Sequence, residues 1–192
     1  MKHSKIEDFA IDWQQLHQHI PEATKQLISG TVNQNAANLA TVFYEHMLAD
    51  KEAKPFISHD IVSQRLHASM QGWLRDLFSL TQQDPKDIYK YQCHVGVVHA
   101  RIQMPISLVL RGSRLLKQAI TEYLVETKLD RAELVQATRF VSEVMELSMS
   151  AMTDSYIVNV GKSVRTDESY RMFALGQNML AERERQRAAL SE

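Results

Sequence analysis

The stretch "VGVVHARIQMP" (95–105) places a histidine among apolar residues. Helical spacing puts Val95, His99 and Ile102 on one face, with Val98 beside them. An imidazole in such surroundings must satisfy two polar nitrogens or cost free energy. A backbone group, a side chain or a metal could take up its lone pair. Two more stretches carry groups of the same kind. In "NLATVFYEHMLAD" (38–50), Leu39, Phe43 and Met47 form an apolar stripe with Tyr44 at its edge. A buried tyrosine hydroxyl needs a partner. In "RLHASMQGWL" (65–74), Leu66, Ser69, Met70 and Trp73 share one helix face.

Taken singly, each of these residues reads as core: a histidine satisfied by backbone, a tyrosine bonded to a carbonyl. Taken together, the three helices would build an apolar slot with one imidazole on one side and one or two hydroxyls opposite. That suits a flat apolar cofactor held by a single axial ligand, which is haem. His99 is then the candidate metal ligand. Tyr44, Ser69 and Leu66 are candidates for the gas side. Met70, Trp73, Val95, Val98 and Ile102 are candidate cofactor contacts.

Other chemistries lack their residues. There is no G-x-x-x-x-G-K, G-x-G-x-x-G, G-x-S-x-G or H-E-x-x-H. His94 and His99 are five apart, so they point to different helix faces and cannot share a metal. Cys93 is the one cysteine, which excludes a disulfide framework or a thiolate metal site within one chain. His17 and His19 lie in a polar stretch and are expected on the solvated surface. No polar acid–base pair accompanies Tyr44, so no catalytic residue is expected in this chain.

The elements that must position these residues are helical. Only 6 glycines and 4 prolines interrupt the 192 residues, and long stretches follow the 3.6-residue period. The pattern predicts an all-α chain with helices over 5–18, 21–33, 35–49, 60–82, 85–103, 105–127, 131–162 and 168–190. Pro21, Pro85 and Pro105 suit first turns, Asp84 can cap the helix of His99, and "DRAE" (130–133) reads as a capping box. No apolar run reaches the roughly 18 residues of a membrane span. The N-terminus has no secretory pattern. A net charge of -1 argues against a nucleic-acid surface. The cytoplasm is the expected compartment.

The pieces "VFYEHML", "VSQRLHASMQGWL", "VVHARIQMPISLV" and "ESYRMFAL" occur in this order. Together they resemble the N-terminal haem globin domain of bacterial globin-coupled oxygen sensors of the diguanylate cyclase type. The resemblance runs from the first helix to about Leu190. It implies a globin fold with an extra N-terminal helix and a C-terminal linker helix, and haem b as cofactor. By position, His99 would be the proximal ligand and Tyr44 the distal donor to O2, with CO and NO as further ligands. Leu66 would gate the distal side, Ser69 would supply a second hydroxyl, and Phe43 and Phe56 would pack on the porphyrin. His67, turned well away from Leu66, is expected outside the pocket.

Helices 105–127 and 131–162 look apolar on more than one face. Ile106, Val109, Leu116, Ile120 and Tyr123 make one face of the first, while Leu108, Leu115, Ala119 and Leu124 add a second. On the other helix Leu134, Val141 and Met145 lie near Ala137, Val144, Ser148 and Ala151. Such helices are doubly buried, either in a core or in a partner contact. The resemblance favours a homodimer through a four-helix bundle. Residues 1–162 read as the sensor domain. Residues 163–192, with Tyr170, Phe173, Gln177 and Leu180 at heptad-like spacing, read as a helical linker towards an output domain of a longer parent. By resemblance that output is a diguanylate cyclase making cyclic di-GMP. The alternative is a haem-free helical dimerisation or interaction domain, in which His99 and Tyr44 are only core residues.

Overall fold

Residues 4–81 and 83–189 are described by a computed structural model, without the side chains at 63–64 and 163–189. All regular structure among the described residues is helical. The elements are α1 (Lys5–His19), α2 (Glu22–Ala49), α3 (His59–Ile61), α4 (His67–Leu77), α5 (Pro85–Arg101), α6 (Ile106–Val125) and α7 (Arg131–Ala189). A π-helical turn, Val62–Leu66, joins α3 to α4.

The sequence pattern located most helices and misplaced several ends. Asp84 caps α5 through its Oδ1, which accepts the Lys86 N–H at 2.9 Å, and Pro85 opens the helix. Asp130 and Glu133 form the reciprocal capping box of α7, at 2.8 and 2.9 Å. The break expected near residue 34 does not exist. Ile28, Ser29, Val32, Ala36, Leu39 and Ala40 keep one continuous buried face through that region of α2. The Asn35 amide folds back onto the Thr31 carbonyl without interrupting the helix. The helix expected to reach residue 82 stops at Leu77, where Phe78 leaves helical geometry and turns into the core. The backbone of α7 runs without interruption through 163–167, where a break was expected. Tyr170, Phe173, Gln177 and Leu180 lie outside the described side chains, and Leu190 lies outside the described residues.

Packing is dominated by α5 on α7, α2 on α4, and α6 on both α7 and α2. The main core gathers Ile28, Val32, Leu39, Leu74, Leu116, Ile120, Val141 and Val144. Full burial of each such aliphatic side chain contributes about 1.5–3 kcal/mol. A smaller cluster holds Met47, Ala53, Ile57, Met104 and Leu108. Phe43 packs against both clusters.

One alternative is decided and one expectation needs correction. The apolar residues on more than one face of α6 and α7 are largely core. Leu108, Leu116, Ala119, Ile120 and Leu124 are buried, as are Ala137, Val141, Val144, Met145, Ser148 and Ala151, because α6 lies against both α2 and α7. What these helices leave exposed is Leu110, Val125, Val135, Ile157 and Val158. His17, expected on the solvated surface, is half-buried instead. Its ring stacks on Trp13 at 4.7 Å and meets the edge of Phe140 at 5.0 Å. A polar-looking stretch on a short helix does not reveal that one of its faces is covered by α7. No helix among the described residues is long and apolar enough to cross a membrane.

Candidate functional site

His99 lies in the last turn of α5, half-buried. Its Nδ1 is 2.8 Å from the Val95 carbonyl oxygen. A carbonyl can only accept, so Nδ1 must carry the proton and Nε2 the lone pair. Burial pushes the His99 pKa below its ordinary value, against the opposing pull of the Val95 carbonyl. The ring is therefore neutral near pH 7. Among the described residues Nε2 has no hydrogen-bond partner. The surrounding apolar side chains are only partly covered: Val95 is half-buried, Val98 is 40% exposed and Ile102 is 47% exposed.

The second group of candidate residues lies on the α2–α4 pair, which packs closely together. Tyr44 is buried, and its hydroxyl donates to the Leu66 carbonyl oxygen at 3.1 Å. Burial pushes its pKa up to about 12, so it remains a neutral donor at physiological pH. Phe43 meets Tyr44 edge-on, with ring centroids 4.8 Å apart. The other side of Phe43 rests on Gly112 of α6, where any Cβ would come within 2.6 Å of its ring. Glycine at 112 thus makes room for the aromatic ring beside Tyr44.

The π-helical turn shapes this wall. The His67 N–H donates to the Val62 carbonyl, five residues back, which widens the helix just where Leu66 sits. Leu66 and Phe56 pack against the cluster of Met47, Met104 and Leu108. Met70 packs on the main core. Ser69 is exposed, and its hydroxyl donates back to the Arg65 carbonyl at 3.0 Å. His67 bonds Thr41 through Nε2 at 3.0 Å and Gln71 through Nδ1 at 2.9 Å. Arg111 of α6 pairs with Asp50 and Glu52, which fastens the corner that leads to Phe56.

α4 and α5 are not a closely packed pair. Their link is a buried bond from Trp73 Nε1 to Gln92 Oε1 at 3.0 Å. Trp73 is therefore a core strut between the two helices. Gln92, only 2% exposed, was missed in the sequence, where a glutamine among polar neighbours carries no sign of burial. Gly112 and Met104 were missed as well. The signal available for Gly112 was a glycine inside an otherwise strong apolar helix.

The residues present fit a flat apolar group with one imidazole ligand. A neutral Nε2 has no protein partner, and apolar side chains beside it are left partly uncovered. A cavity of about 420 Å³ lies elsewhere, lined by Trp13, His17, Lys25, Phe78 and Phe140 among others. It contains none of the candidate residues, so the accessible imidazole nitrogen that no protein group bonds marks the site better than cavity size does.

The protoglobin family model matches residues 18–159, most of this helical array and every candidate residue above. The chain belongs to the protoglobin family. This protoglobin is 30% identical over 156 residues to the diguanylate cyclase DosC of Shigella flexneri, and likewise to DosC of Escherichia coli K12. The match covers 81% of the chain in each case, but only 41% and 34% of the respective relatives. The fold matches the globin domain of E. coli DosC in its ferrous form, with TM-score 0.71 and 24% identity over 79% of this chain and 99% of that one. It also matches the globin domain of the Geobacter sulfurreducens globin-coupled sensor, with TM-score 0.63 and 21% identity over 74% and 96% of the two chains. The protoglobin thus has the globin fold expected from its sequence, and is related to the globin domain of DosC.

Proposed function

We propose that the chain is a haem-based gas sensor that holds haem b through His99 and takes O2, with CO and NO as further ligands. The observation that carries this reading is the neutral, unpartnered Nε2 of His99, oriented by the Val95 carbonyl. Orientation of a metal-binding imidazole through its other nitrogen is what such ligation requires. Haem held there by His99 would supply a ferrous iron able to bind a diatomic gas. Val95, Val98, Ile102, Phe43, Phe56 and Met70 would cover the macrocycle and keep water away. Trp73 acts one step removed, setting the spacing of α4 and α5. Tyr44 is the distal donor, with Leu66 beside it as the gate. Ser69 would contribute only by leaving the Arg65 carbonyl.

Signalling would pass from residues 1–162 through the 163–192 segment, read as a linker, to an output domain of a longer protein. Because the DosC relatives are diguanylate cyclases, cyclic di-GMP synthesis is the output this reading assigns. The exposed Leu110, Val125, Val135, Ile157 and Val158 support a homodimer through α6 and α7. A ligand shifts such a dimer only by its differential affinity for the two states. A cytoplasmic location fits a chain of this kind.

A visible spectrum of the purified, reduced chain with and without O2 tests the proposal. The expected result is a Soret band that moves on adding O2, and its loss in His99→Ala with partial return on adding imidazole. A chain with no Soret band after haem reconstitution would instead be a haem-free interaction domain.

A further inference from the structure

α5 ends abruptly after His99, and the way it ends ties it to α7. Gln103 has φ 56, a left-handed backbone that a residue with a side chain adopts only when held there. The turn is closed by the Gln103 N–H on the Ala100 carbonyl at 3.0 Å and by the Met104 N–H on the His99 carbonyl at 3.1 Å. The Met104 carbonyl then accepts the hydroxyl of Tyr156, on α7, at 2.9 Å. The Met104 side chain is buried with Met47, Ile57 and Leu108, the cluster against which Phe56 and Leu66 pack.

The other side of His99 is held by α7 too. At Gly96 the two helices touch backbone to backbone, because any Cβ there would collide with the Met152 carbonyl and the Ser155 hydroxyl. One turn earlier, the Cys93 thiol faces the Ala151 carbonyl at 3.6 Å. Positions 93, 96 and 104 therefore meet 151, 152, 155 and 156 in order. His99 lies between a steric anchor at Gly96 and a polar anchor at Met104.

We propose that Tyr156 is a positioning residue for His99. Its bond to Met104 fixes the strained turn that carries the His99 carbonyl, and so sets the imidazole and couples it to α7. The proposal rests on the haem reading above. Gly96 resists sliding through hard contact, whereas the Tyr156 bond can break and re-form. A shift of the His99 end of α5 would thus reach α7 at the Tyr156 hydroxyl, with Met104 relaying it to Leu66 and Phe56.

Tyr156→Phe keeps the ring and removes the hydroxyl. Two measurements decide the matter on the intact chain. In the haem-free chain, amide exchange at residues 102–104 should quicken by roughly five- to tenfold, the size of one lost hydrogen bond. In the reduced, gas-free, haem-loaded chain, the iron–imidazole stretching band in resonance Raman should shift and broaden. Tyr91→Phe, at an exposed site on α5, should leave both unchanged. Faster exchange with an unmoved band would make Tyr156 a structural residue only and overturn the proposal. No change in either measurement would overturn it as well. A wild-type chain with a normal iron–imidazole band leaves the haem reading standing in both cases, whereas one that takes up no haem removes both readings.

Discussion

Tyr44 donates its single hydroxyl proton to the carbonyl oxygen of Leu66, the last residue of the π-helical turn. The donor proposed for the gas is therefore already engaged with the protein, and it cannot donate twice. Binding a gas with partial negative charge must exchange one bond for another.

This exchange lowers the effect expected of Tyr44→Phe. A bond to a charged acceptor is worth about 1.5–3 kcal/mol and a neutral one about 0.5–1.5 kcal/mol. The difference is roughly 1–1.5 kcal/mol, or about five- to twelvefold in affinity. Oxygen dissociation from the variant should quicken by that factor, with haem content unchanged, since the ring still fills its place beside Phe43. Carbon monoxide, with less charge on its outer atom, should respond much less. Ser69→Ala should change little by itself, because its hydroxyl is spent on the Arg65 carbonyl. Stopped-flow measurement of the reduced protein checks this; an unchanged rate would leave Tyr44 a core residue bonded to Leu66.

Trp73→Phe should destabilise the chain by about 1–3 kcal/mol, because the buried Gln92 oxygen loses its donor. Gln92→Leu in the same background should restore part of that loss by removing the stranded polar group. The midpoint of urea unfolding measures both. If the single variant unfolds with the wild type, the strut between α4 and α5 does not hold them.

His17 predicts a pH dependence. Burial against Trp13 and Phe140, with Lys25 adding to the effect, pushes its folded pKa below the ordinary value of 6.5. The unfolded chain thus binds the proton more readily, so its contribution to stability is complete above pH 6.5. That contribution is lost as pH falls from there through the lowered folded pKa. His17→Phe should flatten the dependence between pH 7.5 and 5.5 in the haem-free chain, where His99 contributes in the same direction. Urea midpoints at the two pH values give the slope. An equally steep slope in the variant would assign the titration elsewhere.

Dimerisation should be sensitive to Leu110→Glu and Ile157→Glu, which change exposed residues of α6 and α7. Substitutions at such sites alter protomer stability by only about 0.5 kcal/mol. Sedimentation should then show monomers that keep their haem. Ala151→Glu would not serve, because Ala151 is 2% exposed and its replacement would put a charge into the α5–α7 core. A wild-type chain that sediments as a monomer at high concentration would remove the dimer.

The helical periodicity, the Asp84 and Asp130 caps and the prolines determined by themselves that the chain is all-α, because these are local effects whose partners lie within a few residues. The spacing around His99 and Tyr44 was legible for the same reason: a helix face is a property of four or five neighbours. Resemblance of whole motifs then supplied the globin fold. Long-range placement decided the rest. The continuity of α2 depends on a buried face that α4, α6 and α7 define. The core burial of α6 and α7, the covering of His17, and the pairing of Trp73 with Gln92 depend on elements far apart in sequence. Sequence could say that Tyr44 needs a partner and that His99 has two nitrogens to satisfy. Only the tertiary structure gave Tyr44 the Leu66 carbonyl, and brought Tyr156 from α7 to the turn that follows His99, because a hydroxyl bond is set by distances of about 3 Å between helices, which no local pattern encodes.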